Sequence, residues 1–369
     1  MPNVVVVNVK KRYGEIVALD GVNLEIKDRE YVCIIGPSGS GKSTLLKVIA
    51  GILEPDEGQV YIDGIPVSEI PIEERRLGIV MQDIMLFPHM NIWDNVIYSP
   101  VVKGLQYNIV REKGLTALSL LEIDADLNSL PNELSRGAQQ KVALARALAA
   151  DAKLLLLDEP LGSIDARTAR VLRYELRRIV KSLGLTAIHV THNQEEAMSI
   201  ADRIVIMRRG KVEQVGTPIE LYASPKTPFV CRFIGGEANF FEGTITERNG
   251  TLATIKLKNG TKIVAEELRG INGKVVVAIR PEHISITEDK EEMYSDLSSE
   301  NVLKGRIIEV NFLGSYIRYV VDTDEGEIIV KAPRNAIVLR ENTPVLLNIN
   351  KAYVFNYPEE GLERAIAYE

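Results

Sequence analysis

At 369 residues, and roughly 150 residues per domain, the chain is sized for two or three domains, which excludes a small scaffold stapled by disulfides or a metal. Its 46% hydrophobic and 26% charged residues place it among globular proteins. The formal charge of −7 argues against nucleic acid as a partner, because phosphate-binding surfaces of that kind carry a basic excess.

Two cysteines far apart, Cys33 and Cys231, form neither a disulfide framework nor a zinc spacing and suit a reducing compartment. The first residues lack the basic, apolar and small-residue succession of a secretion signal. No run approaches the ~18 apolar residues of a spanning helix. The expectation is a cytosolic chain that reaches a membrane only by docking onto other subunits.

Taken in chain order, the first half alternates β-branched runs with helical patterns. Val4 to Val7, Tyr31 to Ile35, Leu154 to Leu157 and Ala187 to Val190 read as strands of a mixed or parallel sheet. Between Thr168 and Leu183, the apolar residues Val171, Leu172, Leu176, Ile179, Val180 and Leu183 recur at spacings of three and four, predicting an amphipathic helix ended by Gly184. The basic residues Arg167, Arg170, Arg173, Arg177, Arg178 and Lys181 are expected to form its solvated face.

From about Phe240 the texture becomes that of a small all-β domain. Short alternating runs are separated by the turn pairs Asn249-Gly250, Asn259-Gly260, Asn272-Gly273 and Glu325-Gly326. FEGTI (Phe241 to Ile245) is echoed by LKGRI (Leu303 to Ile307), and KVVVAI (Lys274 to Ile279) by PVLLNI (Pro344 to Ile349). Two copies of one barrel-like motif, intertwined or in tandem, would explain the echo. The acidic stretch from Glu288 to Asn301 reads as a surface loop between them. Pro225, Pro228 and the Gly235-Gly236 pair punctuate the boundary. The predicted architecture is an α/β phosphate-loop domain over 1–235, with a helical subdomain at about 83–134, followed by an all-β barrel-like domain over 236–369.

The strongest local signal is GPSGSGKST, Gly36 to Thr44, between the strand YVCII and the helical run LLKVIAGIL. Strand, glycine-rich turn and helix is the context a phosphate loop requires. Ser38, Gly39, Gly41 and Thr44 belong to a turn whose backbone N–H groups converge on phosphates. Lys42 supplies a point charge and Ser43 a hydroxyl ligand for Mg²⁺. LLLLDEP reads as a buried strand ending in two acids, which must meet a cation to be tolerated there. Asp158 is placed to hold Mg²⁺, and Glu159 to orient and polarise an attacking water.

These residues resemble the ATP-binding subunits of ABC transporters, and the match runs through nearly the whole chain. LSRGAQQKVALARAL, Leu134 to Leu148, is similar to the family signature, usually LSGGQ, and Ser135 lies 23 residues before Asp158 as the family requires. Gln82 resembles the Q-loop glutamine, a ligand to the metal and water; Ser163, Ile164 and Asp165 resemble the D-loop. His192 resembles the switch histidine that reaches the γ-phosphate, and Tyr13 the aromatic that stacks on adenine. Taken alone, Tyr13 would equally be ordinary surface and His192 a structural histidine.

The resemblance implies ATP and Mg²⁺ as cofactors and a homodimer. In it, Ser135 and Gly137 of one subunit cover the nucleotide on the phosphate loop of the other. Arg136 and Ala138 depart from the signature, replacing glycine and glutamine, and the lost amide is worth about 1 kcal/mol. Phe87, Pro88, Met90 and Trp93 are either local core or a groove for a helix of a membrane partner.

QVGTPIELYASP, IRPEHISI and NFLGSYIRYVV resemble the exit and C-terminal transport-associated domain of importer ATPases. That implies two transmembrane permease subunits, a substrate-binding protein, and a peripheral place at the cytoplasmic face of the membrane. Polyamine, iron, oxyanion and sugar importers all fit. The alternative is a soluble or non-catalytic regulatory ABC protein uncoupled from transport.

Overall fold

The computed structural model describes residues 3–266, 271, 273–289 and 300–368, which divide into two compact units between Ala223 and Ser224. The first contains β1 (Val4–Tyr13), β2 (Ile16–Ile26), β3 (Tyr31–Ile35), β4 (Glu57–Ile62), β5 (Ile65–Pro66), β6 (Leu77–Val80), β7 (Leu154–Asp158), β8 (Thr186–Val190), β9 (Arg203–Arg208) and β10 (Lys211–Gly216). Its helices are α1 (Lys42–Ile49), α2 (Ile92–Val102), α3 (Tyr107–Leu120), α4 (Arg136–Ala149), α5 (Ala166–Ser182), α6 (Gln194–Ile200) and α7 (Pro218–Ala223).

The main sheet runs β10-β9-β3-β8-β7-β6. All its neighbours are parallel except the antiparallel edge strand β10. Every residue of β3, β7 and β8 is buried, which is why these strands read as continuous apolar runs rather than alternating ones. A second, antiparallel sheet runs β2-β1-β4-β5. Leu45, Leu46 and Ile49 of α1 share one core with Val32, Ile34, Leu154 and Leu156 of the first sheet and Val4, Val6 and Leu24 of the second.

Where a helical subdomain is expected, α2 and α3 pack on each other and on α4. Asp165 caps α5 by accepting from the Thr168 N–H at 3.0 Å, and Gly184 beyond its end takes φ 63, a left-handed angle suited to glycine. The expected solvated basic face of α5 is only partly one. Arg173 is 6% exposed, because it sits where α5 packs on α6 and reaches Glu195 at 3.4 Å. Arg177 and Lys181 both pair with Asp202.

The second unit begins twelve residues ahead of the expected division at 235/236. The reason is α8 (Pro228–Phe233), which buries Phe229, Val230, Cys231 and Phe233. Cys231 shares a core with Val276, Ala278, Tyr353 and Phe355 of this unit. The strands are β11 (Asn239–Asn249), β12 (Leu252–Leu257), β13 (Lys262–Glu266), β14 (Lys274–Ile279), β15 (Ile284–Glu288), β16 (Val302–Phe312), β17 (Tyr316–Thr323), β18 (Gly326–Pro333), β19 (Pro344–Ile349) and β20 (Tyr353–Asn356), followed by α9 (Leu362–Ile366). They form two five-stranded sheets, β13-β12-β11-β14-β20 and β15-β19-β16-β17-β18.

The internal echo is a structural repeat, and it is intertwined. FEGTI on β11 pairs with KVVVAI on β14, as LKGRI on β16 pairs with PVLLNI on β19. Each copy lends a strand to the other's sheet, β15 in one direction and β20 in the other. Even the irregularities repeat, with register shifts between Ile245 and Glu247 and between Ile307 and Glu309. Asn272 and most of the acidic stretch, 290–299, lie outside the described residues.

Candidate nucleotide site

Four neighbouring parallel strands, β3, β8, β7 and β6, release their chains at the same edge of the sheet, the carboxyl edge where ligands of open α/β sheets bind. From β3 emerges the phosphate loop. Gly41 takes φ 98 at the N-terminus of α1 and offers no side-chain cap, which leaves the helix N–H groups free for an anion. A Cβ there would lie 2.3 Å from the Ala18 carbonyl oxygen. We therefore expect Gly41→Ala to lower stability by about 1–3 kcal/mol, measured as a shift of the urea midpoint.

The buried Lys42 Nζ donates to the carbonyls of Gly36 at 2.9 Å and Pro37 at 2.8 Å. Burial lowers its pKa, while Glu159 and Asp158 pull the other way. Ser38 and Gly39 are exposed in the turn, and Ser43 and Thr44 open the helix. Ser43 Oγ donates to Asp158 Oδ1 at 3.0 Å, joining the phosphate loop to the end of β7. Burial raises the Asp158 pKa, and the Ser43 bond opposes that rise.

Glu159 follows at φ 46, left-handed for a residue with a side chain, and costs of order 1–3 kcal/mol in strain. It is held there by its own N–H donating to the Val190 carbonyl at 2.9 Å and by Gly162 N–H donating to its carbonyl at 3.1 Å. From β8 comes His192, whose Nδ1 lies 3.1 Å from Glu159 Oε2. Gln82 leaves β6 two residues past Val80, which pairs with Leu157, so it emerges beside the two acids and is exposed. Tyr13 sits half-exposed at the β1–β2 hairpin end, opposite Ile16. That hairpin continues to Ala18, the residue against Gly41.

The structure does not gather the signature residues with this group. Ser135 is the N-cap of α4 and accepts from the Ala138 N–H at 3.3 Å, a bond that needs no side chain at position 138. Gly137 faces α5, where a Cβ would come within 3.2 Å of Thr168 Cγ2. Trp93 is half-buried, its ring against Gly114 of α3. The Phe87 segment is organised by Asn95, fully buried, which accepts from Phe87 N–H and donates to the carbonyls of Phe87, Met90 and Asn91. Arg146 of α4 donates to the Met85 carbonyl at 2.6 Å and lies over the Phe87 ring.

Sequence reasoning missed a buried polar group behind the site: Tyr31, His189, Thr191 and Glu196. Its signal was a tyrosine and a histidine in strands that are otherwise apolar but for Thr186, which in a buried strand demands partners. Burial, with the Arg173 charge adding, holds the His189 imidazole down to about 3 from the ordinary 6.5. Between those values the unfolded chain binds a proton that the folded chain refuses. Stability therefore falls as pH drops below about 6.5, by up to ~1.4 kcal/mol per pH unit from this group. Urea midpoints at pH 7 and pH 5 should show a shallower loss for His189→Gln than for the parent.

Comparison with known proteins accounts for both units. A family model described as ABC transporter matches residues 19–162, and a TOBE domain model matches 277–355. The spermidine/putrescine import ATP-binding protein PotA of Nostoc sp. is 40% identical over 91% of this chain and 86% of its own length. The Fe(3+) ions import ATP-binding protein FbpC of Rhizobium etli is 38% identical over 88% of each. The sulfate/thiosulfate import ATP-binding protein CysA 2 of Shewanella oneidensis is 36% identical over 90% of this chain and 91% of its own. Among solved structures, a dimeric ATP-binding cassette in a post-hydrolysis state, bound to ADP and Pi, superposes with a TM-score of 0.53 at 36% identity. It covers 58% of this chain and 98% of that one.

Proposed function

The chain belongs to the family of ABC transporter ATP-binding subunits and is an ATPase of an import system, and from that premise we propose how it works and with what. ATP is held by the phosphate loop, with Tyr13 stacking on the adenine and the N–H groups of Ser38 to Thr44, with the Lys42 ammonium, on the phosphates. Among the described residues Lys42 donates to the loop carbonyls of Gly36 and Pro37, weak partners for a cation that a phosphate displaces readily.

Ser43 and Asp158 would hold Mg²⁺. Among the described residues no cluster of three or more His, Cys, Asp or Glu forms a cage for a metal. A hydroxyl and one carboxylate suit a hard cation whose remaining ligands come from phosphate oxygens, water and Gln82. When bound there, Mg²⁺ would supply positive charge to offset that of the transferring phosphoryl group. Glu159 orients and polarises the attacking water, and His192, held against Glu159 at 3.1 Å, contacts the γ-phosphate. That contact between the two side chains is the observation that carries the catalytic reading.

Ser135 caps, and Gly137 lies in the first turn of, a helix that packs on α2, α3 and β6, away from the phosphate loop of its own chain. This supports a homodimer in which they close on the partner's nucleotide, with Ser135 Oγ and the first N–H groups of α4 as donors. Arg136 and Ala138 leave those donors in place. The Met85 to Met90 segment, tied to α4 by Arg146, is the surface for the permease subunits. No helix among the described residues is long and apolar enough to cross a membrane, and the reading places the subunit at the cytoplasmic face by docking. Relatives named for polyamine, ferric and sulfate import, at 36–40% identity, support a small charged solute delivered by a binding protein.

The test is light scattering on Glu159→Gln protein with and without MgATP. A nucleotide-dependent rise from monomer to dimer mass is expected. If the second unit already holds a dimer without nucleotide, distance labels at Ser38 and Arg136 report closure instead. No closure in either assay would defeat the homodimer.

A further inference from the structure

His192 owes its place to its neighbours on either side, and both are tied to one residue, Glu196. Thr191 Oγ1 donates to Glu196 Oε2 at 2.7 Å and accepts from the Asn193 N–H at 3.0 Å. Asn193 Oδ1 in turn accepts from the Glu196 N–H at 3.0 Å, capping α6. Residues 191, 193 and 196 thus close a ring around the backbone of His192, with Glu196 contributing both its main chain and its side chain.

Behind the ring, Glu196 Oε1 faces His189 Nε2 at 3.4 Å, and His189 Nδ1 is 2.9 Å from the Tyr31 hydroxyl. A neutral imidazole carries one N–H, so with the Tyr31 hydroxyl donating to Nδ1, the Nε2–H points at Glu196. Glu196, His189 and Tyr31 are all buried. The chain of contacts therefore runs from strand β3, through β8, to the loop that carries His192. Thr191, His192, Glu196, Glu159 and Arg173 of α5 all line one cavity of about 420 Å³. The Arg173 cation offsets the burial of the Glu196 carboxylate, whose pKa burial raises and Thr191 and Arg173 lower.

We propose that Glu196 is a positioning residue for ATP hydrolysis: through the Thr191 hydroxyl, and backed by His189 and Tyr31, it holds the turn that presents His192 to Glu159. A burial that costs a carboxylate its hydration is offset by the Thr191 hydroxyl, which donates to Oε2 at 2.7 Å, and by the Arg173 cation, with His189 Nε2 in contact with Oε1 at 3.4 Å. The proposal rests on the reading of His192 as the γ-phosphate contact.

The experiment measures kcat and KM for ATP on the full-length protein carrying Glu196→Ala, Glu196→Gln, Thr191→Val, Thr191→Ser, the double Thr191→Val/Glu196→Ala, and His192→Ala. Loss of the ring displaces His192 by a fraction of its length, so Glu196→Ala and Thr191→Val should each lower kcat about tenfold or more. KM for ATP should stay within about twofold, since the phosphate loop is untouched. Thr191→Ser, which keeps the hydroxyl donor, should stay within about threefold of the parent kcat. Glu196→Gln, whose amide oxygen can still accept from Thr191 but whose NH2 then faces the His189 N–H, should fall between the parent and Glu196→Ala. The double variant should lose no more than the worse single one, because both remove the same bond.

A merely structural role would lower the amount of folded enzyme in proportion, and active-site titration with a fluorescent ATP analogue corrects for that. The proposal is overturned if Glu196→Ala retains kcat within twofold, if Thr191→Ser is as damaged as Thr191→Val, or if the two losses multiply. If Glu196→Ala does not fold, Thr191→Val against Thr191→Ser decides alone. His192→Ala separates the two readings: unchanged turnover there defeats the role of His192 itself, whatever the Glu196 variants do.

Discussion

Glu159→Gln is expected to lower ATP turnover by roughly 10²–10⁴-fold, the range for loss of a positioned general base, while leaving MgATP binding intact. The amide retains the shape of the side chain and its position at φ 46, and its oxygen can still face His192. What it loses is the negative charge that polarises the water. The measurement is steady-state phosphate release beside equilibrium binding of a fluorescent ATP analogue. Equal loss in both assays would mean that Glu159 shapes the nucleotide pocket rather than the chemistry. Retained turnover would remove it from the mechanism.

Lys42→Ala should act on the other side of that division. Removing the ammonium deletes a charge-assisted hydrogen bond to the phosphates, worth about 1.5–3 kcal/mol, or roughly a ten- to hundredfold weaker affinity for ATP. The fold should survive, because the bonds Lys42 makes run to the carbonyls of Gly36 and Pro37, neighbours in the same turn. A thermal midpoint close to that of the parent, with binding lost, is the expected pair of results. Unfolding in place of weakened binding would show that Lys42 braces the loop.

These two side chains also mark how far residue patterns alone can go. Lys42 was legible because the chemistry of the phosphate loop is local: strand, turn and helix follow one another within Tyr31 to Ile49, and glycine at Gly41 declares a backbone angle that side chains avoid. Asp158 was legible because four leucines before an acid are costly without a cation. The repeat in the second unit was visible for the same kind of reason, since β11 and β16 each need a glycine against a crossing strand. At Gly243 and Gly305 a Cβ would meet neighbouring atoms at 2.5 Å.

Long-range placement was not legible. Arg173, which the helical spacing assigned to solvent, is buried because α6 covers that part of α5. Periodicity names the apolar stripe of a helix, but not which of its flanks a later element will cover. Likewise the start of the second unit depends on α8 burying Phe229 and Cys231. Punctuation by Pro225 and the Gly235-Gly236 pair brackets that helix without saying to which side it belongs.

The sequence by itself therefore determined the phosphate loop, the acids at the end of β7, the signature and the division into an α/β and a β half. Each of these is written in consecutive residues whose backbone or burial demands are strict. Only the tertiary structure decided that His192 meets Glu159, that Ser43 meets Asp158 across 115 positions, and that Tyr31, His189, Thr191 and Glu196 stand in one buried line. The order of strands in the sheet, β3 beside β8 beside β7, sets those meetings. That order comes from packing α1 and α5 against the sheet, a balance of buried area summed over the whole unit that no single stretch of residues expresses.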